Sequence, residues 1–280
     1  MVNGRQKILK ELENGEILPF IGIYDVFSAS IAAKYYNSFF LSGFSFAASF
    51  YGLPDIGFIS WTDMLDFTKR VRSVFPQHNI LVDVDDGYGD PEVAAHVIYH
   101  LEAAGASGVV IEDQKRPRKC GHFEGKQIMD LYEFIIKLKK VLNTRRNIFV
   151  VARTDASNED EIIKRIRGFE EAGADAILVE AVLNISFVKK LSKVINIPLM
   201  INKIAGGKSP NWTLDELKNA GVSLVNLSTP CLFAAYSAID DAMRQIQKDN
   251  GLLREVDDGY PGIASCTSIL NENLIRRDNR

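Results

Sequence analysis

The chain has 280 residues, 46% of them hydrophobic and 10% aromatic. That is enough to bury a large core; one α/β barrel of about 250 residues accounts for most of the length, with two small domains as the alternative that length alone leaves. A formal net charge of −3, with Lys and Arg interspersed among Asp and Glu, argues against nucleic acid as a partner.

In chain order, the N-terminal MVNGRQKILKELENGE carries charges throughout and no apolar leader core, and no later run approaches the roughly 18 apolar residues of a membrane span. A soluble, unprocessed protein with no membrane partner is expected. Eight short apolar runs then follow: LPFIGIYD, SFFLSG, ILVDVD, SGVVIED, NIFVVARTD, AILVEAV, IPLMINK and SLVNLSTP. Between them, Pro91 to Ala104, Met129 to Leu142, Glu159 to Ala172 and Thr213 to Ala220 place apolar residues at helical spacing. Strand and helix in alternation predict a parallel (β/α)8 TIM barrel over residues 1–247. Gly105, Gly173 and Gly221 sit where a helix should end and a strand begin, as C-terminal caps do. From Lys248 to Arg280 the strand rhythm stops, leaving a C-terminal tail with an apolar turn, IASCTSILNENLI. Cys120, Cys231 and Cys266 are odd in number and lack CxxC spacing, which speaks against a disulfide framework or a structural zinc site and fits a reducing cytoplasm.

Barrel active sites lie at the C-terminal ends of the strands, so the last residues of each run are the candidates. They are polar: Tyr24 and Asp25, Ser42 and Gly43, Asp83 and Asp85, Glu112, Arg153 and Asp155, Glu180, Asn202, and Asn226 or Ser228. Asp83 and Asp85, two apart on a strand, should face one way. With Glu112 from the next strand they form an oxygen donor set suited to a hard divalent cation, against the plainer alternative of a capping acid and a salt bridge. Arg153 can hold a substrate carboxylate in two parallel hydrogen bonds, or pair with Glu180 or Asp155. Cys120 lies beside Arg118, Lys119 and His122, cations expected to lower the thiol pKa, in a loop whose Gly121 suits a closing lid. His78, His96 and His100 fall away from the strand ends and are read as surface or core residues.

These motifs resemble the isocitrate lyase and phosphoenolpyruvate mutase superfamily over nearly the whole chain. Ser42-Gly43-Phe44 is similar to its substrate segment and GLPDIG, with Asp55, to its gating segment; VDVDDGYG, IEDQ, KCGH, VARTDA and NKIAGGKSP follow in the family's order. The resemblance implies a Mg²⁺-dependent barrel, with Mn²⁺ as a substitute, in which Asp85 contacts the metal and Asp83 and Glu112 hold its waters. It implies that Ser42, Gly43, Phe44, Asp55, Gly121, Arg153, Glu180, Asn202 and Ser209 bind a small anionic carboxylate or phosphonate. Cys120 is then the catalytic acid, assisted by Arg118, Lys119 and His122. The expected reaction is cleavage of a 2-hydroxy or 2-oxo di- or tricarboxylate of the 2-methylisocitrate or 2-alkylmalate type to a 2-oxo acid such as pyruvate. A phosphonomutase, or an enzyme cleaving a C–P bond or oxaloacetate, is the close alternative, and a non-catalytic metabolite-binding barrel the distant one. The KCGH motif groups the chain with methylisocitrate lyase, dimethylmalate lyase, the petal death protein and carboxyphosphonoenolpyruvate mutase. Arg118 stands where such lyases carry lysine, and Ala205 where they carry an acid. A homotetramer, a dimer of dimers exchanging a C-terminal helix, is also implied, with the tail at 248–280 as that helix.

Overall fold

A computed structural model describes residues 3–257 and 260–278. Met1, Val2, Asp258, Gly259, Asn279 and Arg280, and with them the first residues expected for the barrel and part of the expected tail, lie outside the described residues. The elements run α1 (Gly4–Leu12), β1 (Leu18–Ile23), α2 (Val26–Ala32), β2 (Ser38–Leu41), α3 (Gly43–Phe46), a π-helical turn (Ala47–Tyr51), α4 (Trp61–Val74), β3 (Asn79–Asp83), α5 (Pro91–Ala103), β4 (Gly108–Glu112), α6 (Leu131–Thr144), β5 (Phe149–Thr154), α7 (Glu159–Ala172), β6 (Ala176–Val179), α8 (Ile185–Leu191), β7 (Leu199–Lys203), α9 (Leu214–Asn219), β8 (Leu224–Leu227), α10 (Pro230–Lys248) and α11 (Ile263–Asp278). The eight strands pair in parallel in sequence order, and β8 closes onto β1. This is the expected α/β barrel, with α11 added at the C-terminus.

Alternation along each strand sorts its residues into two cores. One set, Phe20, Phe40, Leu81, Val110, Phe149, Val151, Leu178, Met200 and Leu224, fills the barrel interior, and Ile8 of α1 joins it from the N-terminal end. The other set, which includes Ile80, Val82, Val109, Ile111, Val150, Ile177, Val179, Ile201 and Val225, meets the surrounding helices. A barrel so filled is a packed core with room for chemistry only at its ends.

The helix boundaries have local causes. Asn158 accepts from Glu161 N–H at the start of α7, whose first turn carries Glu159, Asp160 and Glu161 against the positive end of the helix dipole. The helix stops at Gly173, which takes φ +97°, a conformation that costs glycine nothing. Gly105 and Gly221 do the same at φ +91° and +85°. Among the described residues, no helix is long and apolar enough to cross a membrane.

The chain beyond β8 behaves differently from the barrel. None of the described residues of α10 is buried, and Tyr236, Ile239 and Met243 project from it. The last helix, α11, returns to α2 and α4, where Asn273 Nδ2 donates to Ser30 Oγ at 2.8 Å and Arg276 lies over the Phe75 ring.

Below that contact, His78 stacks on Phe39 with ring centroids 4.8 Å apart. Burial, aided by Lys7, Arg276 and Arg72, pushes its pKa down to about 4. The folded protein therefore refuses a proton that the unfolded chain accepts near its ordinary value, so stability should fall as pH drops from about 6.5 towards 4. Urea midpoints for the wild type and His78→Gln across that range should converge in slope elsewhere and differ there; identical profiles would place His78 outside the acid transition.

Candidate active site

The alternation that fills the barrel also makes its mouth. On seven strands the residue two places after an interior apolar one is polar: Ser42 after Phe40, Asp83 after Leu81, Glu112 after Val110, Arg153 after Val151, Glu180 after Leu178, Asn202 after Met200 and Asn226 after Leu224. Phe40, Val110 and Leu178 floor a small cavity walled by Ser42, Asp83, Arg153, Glu180, Asn202, Asn226 and Ser228. Over it lie Asp55, from the segment before α4, and Cys120, Gly121 and His122, from the loop after β4.

That loop is fastened on several sides. Gln114 receives Lys119 N–H at 3.0 Å and donates to Lys119 O at 2.9 Å, closing the chain on itself. His122 Nδ1 accepts Lys208 N–H at 2.9 Å from the loop after β7, and His122 Nε2 lies 2.7 Å from Glu180 Oε1, off the line of an ideal hydrogen bond. A Cβ on Gly121 would come 2.4 Å from Arg153 Nη2 and 2.5 Å from Glu180 Cγ. Only glycine lets the backbone lie that close. The cavity left beneath is about 30 Å³, so the loop covers the strand-end residues and leaves almost no space under it.

Buried charge dominates the electrostatics. Arg153 makes a two-pronged pair with Asp155, Nε to Oδ2 at 2.8 Å and Nη2 to Oδ1 at 3.0 Å, and lies 3.2 Å from Glu112 Oε2 and 3.4 Å from Glu180 Oε2. Arg118, 2% exposed, pairs with Asp55 through Nη1, with Asp85 Oδ1 through Nη2 at 3.3 Å and with Glu112 Oε1 through Nε at 3.0 Å. Burial pushes Glu112 up to about 7 against both arginines, and raises Asp83 and Asp85 as well. Glu180 goes the other way. Although burial acts to raise it, Arg153, the His122 imidazole against it and the Asn202 amide hold it at about 2.

The expected site residues divide into groups. Ser42, Phe44, Asp55, Asp83, Cys120, Gly121, His122, Arg153, Glu180 and Asn202 share the cavity. Gly43 sits between the aspartates: its N–H donates to Asp83 Oδ2 at 3.2 Å, and a Cβ there would lie 3.7 Å from Asp85 Oδ1. Asp85, Glu112 and Arg118 lie alongside, joined to the cavity wall through ion pairs. Lys119 points outward, its Nζ 3.4 Å from Glu124 O. Ser209 lines a separate outer cleft with Lys203, Gly207, Leu227 and Phe233, and its buried hydroxyl has no hydrogen-bond partner.

Two expectations need correction. The Asp83–Asp85 argument assumed extended backbone, but β3 ends at Asp83 and Asp85 turns at φ +47°; the carboxylates meet because the chain bends, not because a strand alternates. The Cys120 thiol is raised rather than lowered. Burial is the main cause and outweighs the lowering by the His122 backbone N–H and by Arg153; Arg118 is turned away into the carboxylates and Lys119 faces out.

Hard oxygen donors are present for a cation, and the buried Asp85 Oδ2 has no hydrogen-bond partner. Among the described residues, however, no three His, Cys, Asp or Glu side chains are grouped as a ready ligand cluster. The set fits an ion such as Mg²⁺, which takes one or two carboxylates and completes its shell with water. Asn226 and Ser228, strand-end residues without an assigned part, turn out to matter: Asn226 Nδ2 donates to Ser228 Oγ at 2.9 Å, and Ser228 Oγ donates to Asn202 Oδ1, which aims the Asn202 amide at Glu180. Their place at the strand ends was the available signal.

Comparison with known proteins identifies the family. The model of the phosphoenolpyruvate phosphomutase family matches residues 9–247. The petal death protein of Dianthus caryophyllus is 35% identical over 260 residues, covering 90% of this chain and 81% of that protein. The 2-methylisocitrate lyase of Bacillus subtilis (strain 168) is 34% identical over 245 residues, covering 86% and 80%. Among solved structures, oxaloacetate acetylhydrolase in complex with the inhibitor 3,3-difluorooxalacetate superposes with a TM-score of 0.92 at 27% identity, covering 99% of this chain and 96% of that one. The chain belongs to the phosphoenolpyruvate phosphomutase family, within the isocitrate lyase and phosphoenolpyruvate mutase superfamily, and is an enzyme.

The seating of the lid can be tested without a substrate. Gly121→Ala should lift the loop from Arg153 and Glu180, speed alkylation of Cys120, which is 8% exposed, and leave the thermal midpoint nearly unchanged. Turnover should fall on the order of 100-fold, the usual cost of misplacing a catalytic group by about 1 Å. Unaltered alkylation would mean the loop is not held by that contact.

Proposed function

We propose that this member of the phosphoenolpyruvate phosphomutase family is a Mg²⁺-dependent carbon–carbon lyase that splits a 2-methylisocitrate- or 2-alkylmalate-type acid into a 2-oxo acid such as pyruvate and a second carboxylate. The observation that carries the reading is the placement of Cys120 over a mouth that combines Arg153 and Asn202 donors with buried carboxylates. The kinship with proteins named 2-methylisocitrate lyase supports it.

Substrate enters with the loop at 115–128 lifted, because the seated loop leaves too little room. Arg153, loosened from Asp155, clamps a substrate carboxylate in two hydrogen bonds. Asn202 Nδ2 and the Ser42 hydroxyl, whose oxygen already accepts Ser45 N–H at 3.2 Å, supply further donors. Glu180 stays ionised and keeps His122 and Asn202 oriented. His122 accepts Lys208 N–H at Nδ1, so its proton sits on Nε2, facing Glu180. Phe44 and Ile204 offer an apolar wall to an alkyl substituent. When the carbon–carbon bond breaks, the substrate's 2-hydroxyl gives its proton to a buried carboxylate of the mouth and becomes the carbonyl of the 2-oxo acid, while the electron pair of the broken bond passes to the departing enediolate, whose carbon takes the Cys120 Sγ proton. The raised thiol pKa keeps that proton in place at neutral pH. Asp85, with Asp83 and Glu112 through water, would hold Mg²⁺, which when bound polarises the substrate oxygen and balances developing charge.

A second reading, cleavage of oxaloacetate, is favoured by the likeness to oxaloacetate acetylhydrolase. Phosphonate turnover is the remaining branch. Proton and phosphorus NMR with Mg²⁺ should show pyruvate or another 2-oxo acid released from 2-methylisocitrate, 2,3-dimethylmalate or another 2-alkylmalate. Oxalate and acetate from oxaloacetate alone would select the second reading, and turnover of phosphonopyruvate alone the third. Cys120→Ser should lower turnover by about 10²–10⁴-fold, the usual worth of a positioned proton donor, with Mg²⁺ binding intact by calorimetry; unchanged turnover would take the thiol out of the mechanism.

We further take the exposed face of α10 and the tail at 248–280, with α11, as the surfaces by which copies assemble, in a tetramer of paired dimers. Sedimentation should give a species near four times the chain mass, and Tyr236→Asp with Ile239→Asp should reduce it. A wild-type monomer would remove this part of the reading.

A further inference from the structure

Arg118 is an unusual occupant for a place expected to hold a metal. Its side chain is among the largest fully buried ones of the described residues, and its guanidinium is shared among Asp55, Asp85 Oδ1 and Glu112 Oε1. Two of those three carboxylates belong to the proposed cation site, Asp85 directly and Glu112 through water. The cation already there belongs to the lid: Arg118 stands two residues before Cys120, in the segment held by Gln114 and His122. A planar fork can reach three carboxylates at once from one rigid group, which a lysine ammonium cannot do with the same geometry.

We infer that Arg118 is a latch that couples metal loading to lid position: seated, it acts as the resident counter-cation of the acidic cluster, and a divalent ion enters by displacing it and loosening the lid. The inference rests on the metal reading above. Its basis is competition for the same oxygens and repulsion between two cations. Asp85 offers a first foothold, since Oδ1 faces Arg118 while the buried Oδ2 has no hydrogen-bond partner. A cation arriving there meets a guanidinium on the other oxygen of the same carboxylate. Coupling of this kind is reciprocal, so the ion must weaken the seated lid by the same factor by which the seated lid weakens ion binding. Substrate carboxylates, arriving after the ion, would supply the negative charge that lets both cations remain, which orders the cycle as ion, then substrate, then closure.

Two measurements on the full-length protein decide the matter, neither of which needs turnover. In the first, Mg²⁺ or Mn²⁺ is titrated calorimetrically into the wild type, Arg118→Lys and Arg118→Gln. Removing the charge should tighten binding within the roughly 5–150-fold range usual for coupled sites, with the lysine variant between. In the second, Cys120 alkylation of the wild type is followed as Mg²⁺ is raised, with Cys231 and Cys266 replaced by serine so that one thiol reports. The rate should rise along the metal-binding isotherm, while Arg118→Gln should be fast from the start and insensitive to the ion. Equal metal affinity in wild type and variants, or Mg²⁺ that slows Cys120 alkylation, would overturn the latch while leaving the metal site standing. No binding by any of the three proteins would overturn the metal reading itself and the latch with it. The alkylation series on otherwise wild-type Arg118 stands alone if a variant fails to fold.

Discussion

Buried carboxylates cannot stay ionised without partners, and the architecture of the barrel mouth follows from that constraint. Asp55, Asp83, Asp85, Glu112, Asp155 and Glu180 are all buried, and Arg118 and Arg153 thread between them. Such an arrangement is weak evidence for stability, because desolvation offsets much of the attraction, yet removal of one partner from a buried pair typically costs about 3–5 kcal/mol. The network therefore fixes positions more than it adds strength. It also explains the divided protonation behaviour: Glu180, ringed by donors, stays charged, whereas Glu112, in a crowd of acids, is driven to about 7 by burial.

A second network, beneath the first, holds the scaffold that presents it. Asp113, next to Glu112, accepts from Arg165 Nη1 at 2.9 Å, Thr154 Oγ1 at 2.7 Å and Asp155 N–H at 3.0 Å. This ties the end of β4 to the end of β5 and to α7. Lys126 then reaches Asp155 from the lid at 2.9 Å. The carboxylate that grips Arg153 is thus held from below by the barrel and from above by the loop. The loop and Arg153 are thus tied through one side chain, Asp155.

The lid closes against a surface made by several other loops. His122 docks on the GGKSP segment, where a Cβ at Gly207 would lie 2.7 Å from its Nδ1, and Arg118 reaches the segment carrying Asp55. The glycines at 121 and 207 are placed where backbone must approach a side chain closely. The loop therefore touches the segment carrying Asp55, the β7 loop and the acidic cluster at once.

Much of this was legible in the amino-acid sequence. Apolar runs of strand length, helical spacing between them and glycines at helix ends determined the barrel, because backbone sterics and burial of an apolar face act locally and leave a period in the chain. The rule that barrel chemistry sits at strand ends selected Ser42, Asp83, Arg153, Glu180 and Asn202, and alternation accounts for why those residues and not their neighbours face the mouth. What the sequence left open depends on where side chains go once the chain turns. Asp85 meets Asp83 through a left-handed bend, not along a strand. Arg118 and Lys119, adjacent to Cys120 in the chain, point away from it, one into a carboxylate cluster and the other to the surface. Burial, which no local pattern records, then raises the Cys120 thiol that sequence neighbours would have lowered. Periodicity specifies elements and faces because it is a property of consecutive residues; ion pairing and desolvation depend on groups brought together from far apart in the chain, and only the tertiary structure decides them.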